Sequence, residues 1–364
     1  MKSKRSNNQL GRVAMHTPQA LISKSVDTWM LYRLSLICMV VLVIISQMNL
    51  LGAMQTTGVK SLMFVLVLQA LLNWPHFMIS YRMLYSERSN FRKYPMATVW
   101  IPVALILVVA LVGVLLIADD VVWANNIAYL VWMLAAFYLA WHYVGQAWGV
   151  IRVSAQLSQL KMTVAENKWL YFSVRVMLVW HVIWGFQQLG QFPYLAIFKN
   201  ETLMSLFNML ACLGFAIGLG VFLKIKSSMR PLDDKVWGTW LTLYLWYFVL
   251  WIEPAFAVFV QLSHAMQYFV FPARVEMSKL NQLEYRNDGR RSAVFLLVFL
   301  YAMSVALGWL IFWGITFWLG SSAEVVLMAG LVASAINIHH FYTDGAIWKL
   351  RDPEVRGLLL GHFK

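Results

Sequence analysis

Apolar runs long enough to cross a bilayer recur along almost the whole chain. A helix spanning the hydrocarbon core needs about 20 predominantly apolar residues. Ten runs meet that need, at roughly 30–52, 61–82, 97–118, 126–150, 169–191, 203–224, 236–252, 255–274, 293–319 and 324–348. The connections are too short for a separate soluble domain. The sequence therefore predicts an all-α polytopic transmembrane bundle over 30–350, between an N-terminal tail, 1–29, and a C-terminal tail, 351–364. Glu253 and Pro254 interrupt one long run and are read as a tight hairpin; a single kinked span would leave nine crossings. Composition agrees, with 61% hydrophobic and 12% charged residues, where soluble domains carry about 25% charged. That balance excludes a soluble enzyme, a disordered chain and a nucleic-acid-binding domain.

The formal charge of +13 follows from topology. Cytoplasmic loops hold an excess of Lys and Arg. With ten spans and an inside N-terminus, only Lys60 and Lys199 of the 29 basic residues fall outside, with Arg33 and Arg175 near enough to the inner edge to snorkel. Both termini are therefore expected in the cytoplasm, and the basic inner loops face anionic lipid headgroups. Cys38 and Cys212 lie inside apolar runs and read neither as a disulfide framework nor as a zinc motif. No cleavable leader is expected, because no apolar run begins before about Met30.

The histidines carry the chemistry. Of eight, His16 and His362 are in the tails; His76, His142, His181, His264, His339 and His340 all fall within spans. Ionisable side chains in a membrane are costly and usually face the bundle interior. Their depths can be compared with a ruler of 1.5 Å per residue. His142 and His264 stand ten positions before Arg152 and Arg274, and His339 and His340 ten and nine before Lys349. Each is thus about 15 Å from the first inner basic residue. His76 stands six before Arg82, or twelve before Arg88, and His181 thirteen after Lys168, about 20 Å. Most of the set thus falls in one layer, slightly to the cytoplasmic side of the midplane. Imidazole is the commonest protein metal ligand, so the layer is read as a buried transition-metal centre with these six histidines as candidate ligands.

Polar residues gather around them at helical spacing. Gln146 and Tyr138 lie four positions either side of His142; Gln267 and Tyr268 follow His264; Asn73 and Asn337 precede His76 and His340 by three. Asp344, four after His340, shares its helical face. It is expected to orient an imidazole from behind, with direct ligation as the alternative. His339 and His340 point about 100° apart, so one ligand is expected from the pair, with His340 preferred for its Asp344 face. Trp74, Trp141, Trp148, Trp180, Trp184 and Trp348 flank the layer, either as interfacial and packing residues or as walls for a long apolar ligand.

Four short segments resemble the bacterial carotene-cleaving membrane oxygenases of the Brp/Blh type. They are Trp74-Pro75-His76-Phe77, His142-Tyr143-Val144-Gly145-Gln146, Ser263-His264-Ala265-Met266-Gln267-Tyr268 and His339-His340-Phe341-Tyr342-Thr343-Asp344. Their order and their alternation along the spans match the family. The resemblance implies one non-haem iron held by His76, His142, His264 and one of His339 and His340. Tyr268 stands where the family has a second histidine, His181 has no counterpart, and the match covers about a tenth of the chain.

The expected function is thus a membrane oxidoreductase, a non-haem iron oxygenase or dioxygenase, acting on a lipophilic isoprenoid, carotenoid or lipid. Its partners would be membrane lipids, that substrate and an electron donor if one is needed, with no nucleic acid. The cell membrane is the expected location, the inner membrane in a bacterium. Three alternatives stay open: a haem b electron carrier, a di-iron desaturase or hydroxylase, and a metal- or proton-coupled transporter.

Overall fold

A computed structural model describes residues 20–48, 66–188, 200–283, 289–314, 320 and 322–361, with backbone alone over 280–283 and 289–294. His16, His362, Lys60 and Lys199 lie outside the described residues. Every regular element among those described is helical. In chain order they are α1 (Lys24–Gln47), α2 (Trp74–Tyr85), α3 (Ser89–Lys93), α4 (Met96–Ile117), α5 (Val121–Leu157), α6 (Val164–Gln188), α7 (Glu201–Ser227), α8 (Asp234–Ile252), α9 (Ala257–Leu283), α10 (Gly289–Phe312), α11 (Ala323–Ile347) and α12 (Pro353–Leu360).

Seven of these, α1, α4, α5, α6, α7, α10 and α11, are long and apolar enough to cross a membrane. The expected spans at 61–82, 236–252 and 255–274 correspond to the partly described α2 region and to α8 and α9, which are helical but more polar. Burial explains the polarity. Helix α8 buries Thr239, Thr242, Trp240, Tyr244 and Tyr247, and α9 buries Ser263, His264, Gln267 and Arg274. Polar side chains are tolerated where they meet protein and not lipid. Helix α4 is the opposite case, with Ile106 65% and Leu107 63% exposed.

The break at Glu253-Pro254 is a fold-back. Glu253 takes an extended conformation and its side chain caps the short 3-10 turn Pro254–Phe256. Across the break, Trp246 Nε1 donates to Ser263 Oγ at 3.0 Å and to Ser35 Oγ of α1 at 2.9 Å. One continuous helix would set residues 17 apart at roughly 25 Å, so α8 and α9 lie side by side.

Prolines shape the helices next to the histidines. A proline inside a helix cannot bond the carbonyl four residues back. Helix α2, with Pro75 in its first turn, follows a π-helical turn, Gln69–Asn73. The carbonyl left by Pro75 is that of Leu71, and the Tyr301 hydroxyl of α10 donates to it. Pro102 repeats the pattern after the π turn Met96–Trp100: Tyr85 OH donates to the Thr98 carbonyl at 3.3 Å. Helix α10 also approaches α2 closely at Gly308, where a Cβ would meet that of Trp74 at 2.6 Å.

Arg274 closes the end of the bundle that carries most basic residues. Its guanidinium donates to the carbonyls of Leu359 (3.1 Å), Leu21 (3.3 Å) and Gly361. The first and last described segments are thereby drawn onto α9, over an apolar cluster of Leu21, Leu31, Val153, Phe271 and Leu359. Nearby, Lys93 bonds Asp352 and Glu354 and holds the Asp352 carboxyl below the usual carboxylate range.

Candidate metal centre

Three helices deliver one side-chain group of four residues. His76 comes from α2, His142 from α5, and His340 and Asp344 from α11. One donor atom from each lies within 4.8 Å of all the others, and all four residues are buried. Asp344 Oδ2 is 3.5 Å from His340 Nε2, 3.7 Å from His76 Nε2 and 3.9 Å from His142 Nε2. Donors held 2.0–2.2 Å from one ion are about 2.9 Å apart at a right angle and about 3.4 Å at the tetrahedral angle. The three carboxylate–imidazole separations therefore fit ligands spread widely around a single ion. The 4.8 Å limit of the whole group exceeds the roughly 4.4 Å that two such donors span across an ion, so the side chains would close slightly on it.

His264 of α9 completes the ring of imidazoles. Its Nε2 is 2.8 Å from His142 Nε2, the spacing of two ligands at a right angle as well as that of an N–H···N bond. The ring centroids of His76 lie 4.4 Å from His340, 5.0 Å from His264 and 5.9 Å from His142.

The decisive feature is what these atoms lack. Both ring nitrogens of His76, both of His340, and Asp344 Oδ2 are buried without a hydrogen-bond partner. A buried polar group left unpaired costs about 1–3 kcal/mol, and here the two Nε2 atoms and Oδ2 converge on one point. A cation satisfies the converging lone pairs together; apolar packing satisfies none. The donor set of imidazoles plus one carboxylate suits a first-row transition ion such as iron, manganese or zinc.

Asp344 divides its two oxygens. Oδ2 faces the imidazoles; Oδ1 accepts from Ser80 Oγ at 2.7 Å. Tyr268 OH lies 2.5 Å from the same Ser80 oxygen, and its ring sits 4.2 Å from that of His76. A relay from Tyr268 through Ser80 thus fixes the carboxylate. Asp344 Oδ2 stands among the imidazole nitrogens, a position from which direct ligation is open to it beside the supporting role expected. Ser80 was not singled out from the sequence, though it lies four residues after His76 and so on the same helical face.

The other candidates have different surroundings. His181 Nδ1 pairs with Tyr247 OH at 3.1 Å in the seam between α6 and α8. Tyr143 stands between it and the group, its ring 6.0 Å from His181 and 4.5 Å from His264. His339 turns away, with Nε2 2.7 Å from the Ala97 carbonyl in the π turn of α4. Gln146 Nε2 donates to the His264 carbonyl at 3.0 Å, and Gln267 Nε2 to the Leu31 carbonyl at 2.6 Å. Both glutamines fasten backbone. Tyr138 packs in the apolar wall of Phe77, Met78 and Phe341. Asn73 is buried at the end of the π turn before α2, and Asn337 is half-buried on α11.

A cavity of about 580 Å³ reaches the group from one side. His142, Asp344 and Tyr268 line it, together with Trp141, Trp148 and Trp348. The chain matches no family model, no curated protein and no solved structure.

Proposed function

We propose that this chain is an integral-membrane metalloenzyme, a non-haem iron oxygenase acting on a lipophilic substrate that enters the tryptophan-lined cavity. The observation that carries the reading is the convergence of unpartnered donors from His76, His340 and Asp344 beside a cavity that Asp344 and His142 line. Bound iron would supply dioxygen activation. His76, His142, His340 and Asp344 would hold it, with His264 as a further imidazole. Tyr268 and Ser80 keep the carboxylate aimed. Phe77, Phe341 and Tyr143 pack on the imidazoles and exclude water from that side. The crowding of four rings around one point favours a bare ion over a flat macrocycle, which needs an open slot between its axial ligands.

The test is metal analysis of the detergent-purified chain together with its absorption spectrum. The expected result is about one iron per chain without the intense Soret band of haem. A Soret band would replace the reading with haem-based electron transfer. Absence of tightly bound metal, even after anaerobic supply of ferrous iron, would end it in favour of transport.

A further inference from the structure

The cavity has a composition of its own. Gly145 and Gly149 of α5 and Gly345 of α11 line it, and a Cβ at any of the three would meet nothing within 4 Å. The space is therefore left open by the absence of side chains along two facing helices. Gly145 and Gly149 lie three and seven positions after His142, so this bare stripe leads along α5 away from the histidines. A volume of about 580 Å³ lies within the roughly 300–1,000 Å³ of small-molecule sites.

Three cations border the same cavity: Arg175 of α6, and Lys349 and Arg351 just after α11. Among the described residues none of them is in an ion pair. Arg175 bonds only the Tyr171 hydroxyl, at 2.7 Å, and lies 4.5 Å over the Trp141 ring. Several basic residues elsewhere are matched, Arg82 with Glu276, Lys279 with Glu87, Arg230 with Glu166 and Lys235 with Asp233. A preference for basic residues on the cytoplasmic side accounts for the side on which the three cavity cations lie; the cavity they border is what gives them a ligand to meet.

We infer that the cavity takes a single-chain amphiphile with an anionic head, a carboxylate or a phosphate. The head sits at Lys349 and Arg351, beyond the end of α11, and the chain runs along the glycine stripe past Trp148 toward His142 and Asp344, where Arg175 lies over Trp141. Charge-assisted hydrogen bonds to such a head are about twice as strong as neutral ones. Its fixed position sets which part of the chain reaches His142 and Asp344. The inference refines the substrate class of the proposed oxygenase, but head-selective binding needs no metal chemistry.

Equilibrium binding of radiolabelled hexadecanoate, hexadecyl phosphate and hexadecanol to the full chain in detergent tests it, with iron content measured on each sample. Both anions are expected to bind at least about tenfold tighter than the alcohol. The Lys349→Gln, Arg351→Gln double variant should bring the anions close to the alcohol. Gly149→Leu, or independently Gly145→Leu, should abolish binding of all three while iron content stays at the parent level. Equal binding of acid and alcohol overturns the inference, as does a preference that survives the double variant or probes that still bind both leucine variants. Preference for one anion alone assigns the head as carboxylate or phosphate. Head-selective binding without iron removes the oxygenase reading and leaves the anion site standing; iron without head selectivity does the reverse.

Discussion

His340 and His181 are both buried in the bundle, yet they occupy different kinds of setting. The His181 ring meets a hydroxyl at 3.1 Å, from Tyr247, and packs edge-on against Trp184. His340 has neither ring nitrogen paired, and its neighbours are His76, His142 and a carboxylate. The comparison teaches that a histidine inside a membrane protein is not by itself a sign of a metal. One polar partner is enough to make it part of the packing. Unpaired donors that converge are what makes the His340 setting a candidate metal site.

The largest effect is expected at the convergent set. His142→Ala and His340→Ala should each reduce bound metal beyond the 10–100-fold loss typical of supporting residues, read by metal analysis after dialysis. His264→Ala belongs with them if its nitrogen ligates; metal retained in that variant would assign His264 as a hydrogen-bond partner of His142. Asp344→Asn keeps one oxygen and loses the charge, so a smaller rise in metal dissociation constant is expected. Tyr268→Phe leaves every donor in place and removes the hydroxyl behind Ser80, for a loss at the lower end of 10–100-fold. The smallest effect on metal is expected at His181→Phe, which should leave its content unchanged while stranding the Tyr247 hydroxyl, at a stability cost of about 1–3 kcal/mol. Thermal unfolding checks the second half. Metal loss in His181→Phe equal to that in His340→Ala would erase the distinction between the two settings.

Depth was legible in the sequence. Helices in a bilayer advance at a fixed rise per residue, so counting from the first inner basic residue brought His76, His142, His264 and His340 to one layer, and their rings lie within 5.9 Å of one another by centroid along the pairs His76–His142, His76–His264 and His76–His340. Rotation about each helix axis was less so. Spacing related Asp344 to His340, but which way His181 and His339 turn depends on Tyr247 and the Ala97 carbonyl, which belong to other helices. The Arg274 clamp, the Ser80 relay and the open glycine stripe escaped for the same reason: each is a property of which helices pack together. Hydropathy marked α4 and α11 clearly, whereas α8 and α9 carry the polar residues of interior helices and fall below the apolarity of a free-standing span.

The helices that supply the donors are far apart in the order of synthesis. The hydrogen bond from Ser80 to Asp344 joins residues 264 positions apart. At roughly 5–20 residues per second, the nascent chain already carries His76, His142 and His264 for some seconds before α11 is made. Until then the first three imidazoles lack both His340 and the carboxylate. An ion held by the full set could therefore be captured only once α11 is made and inserted.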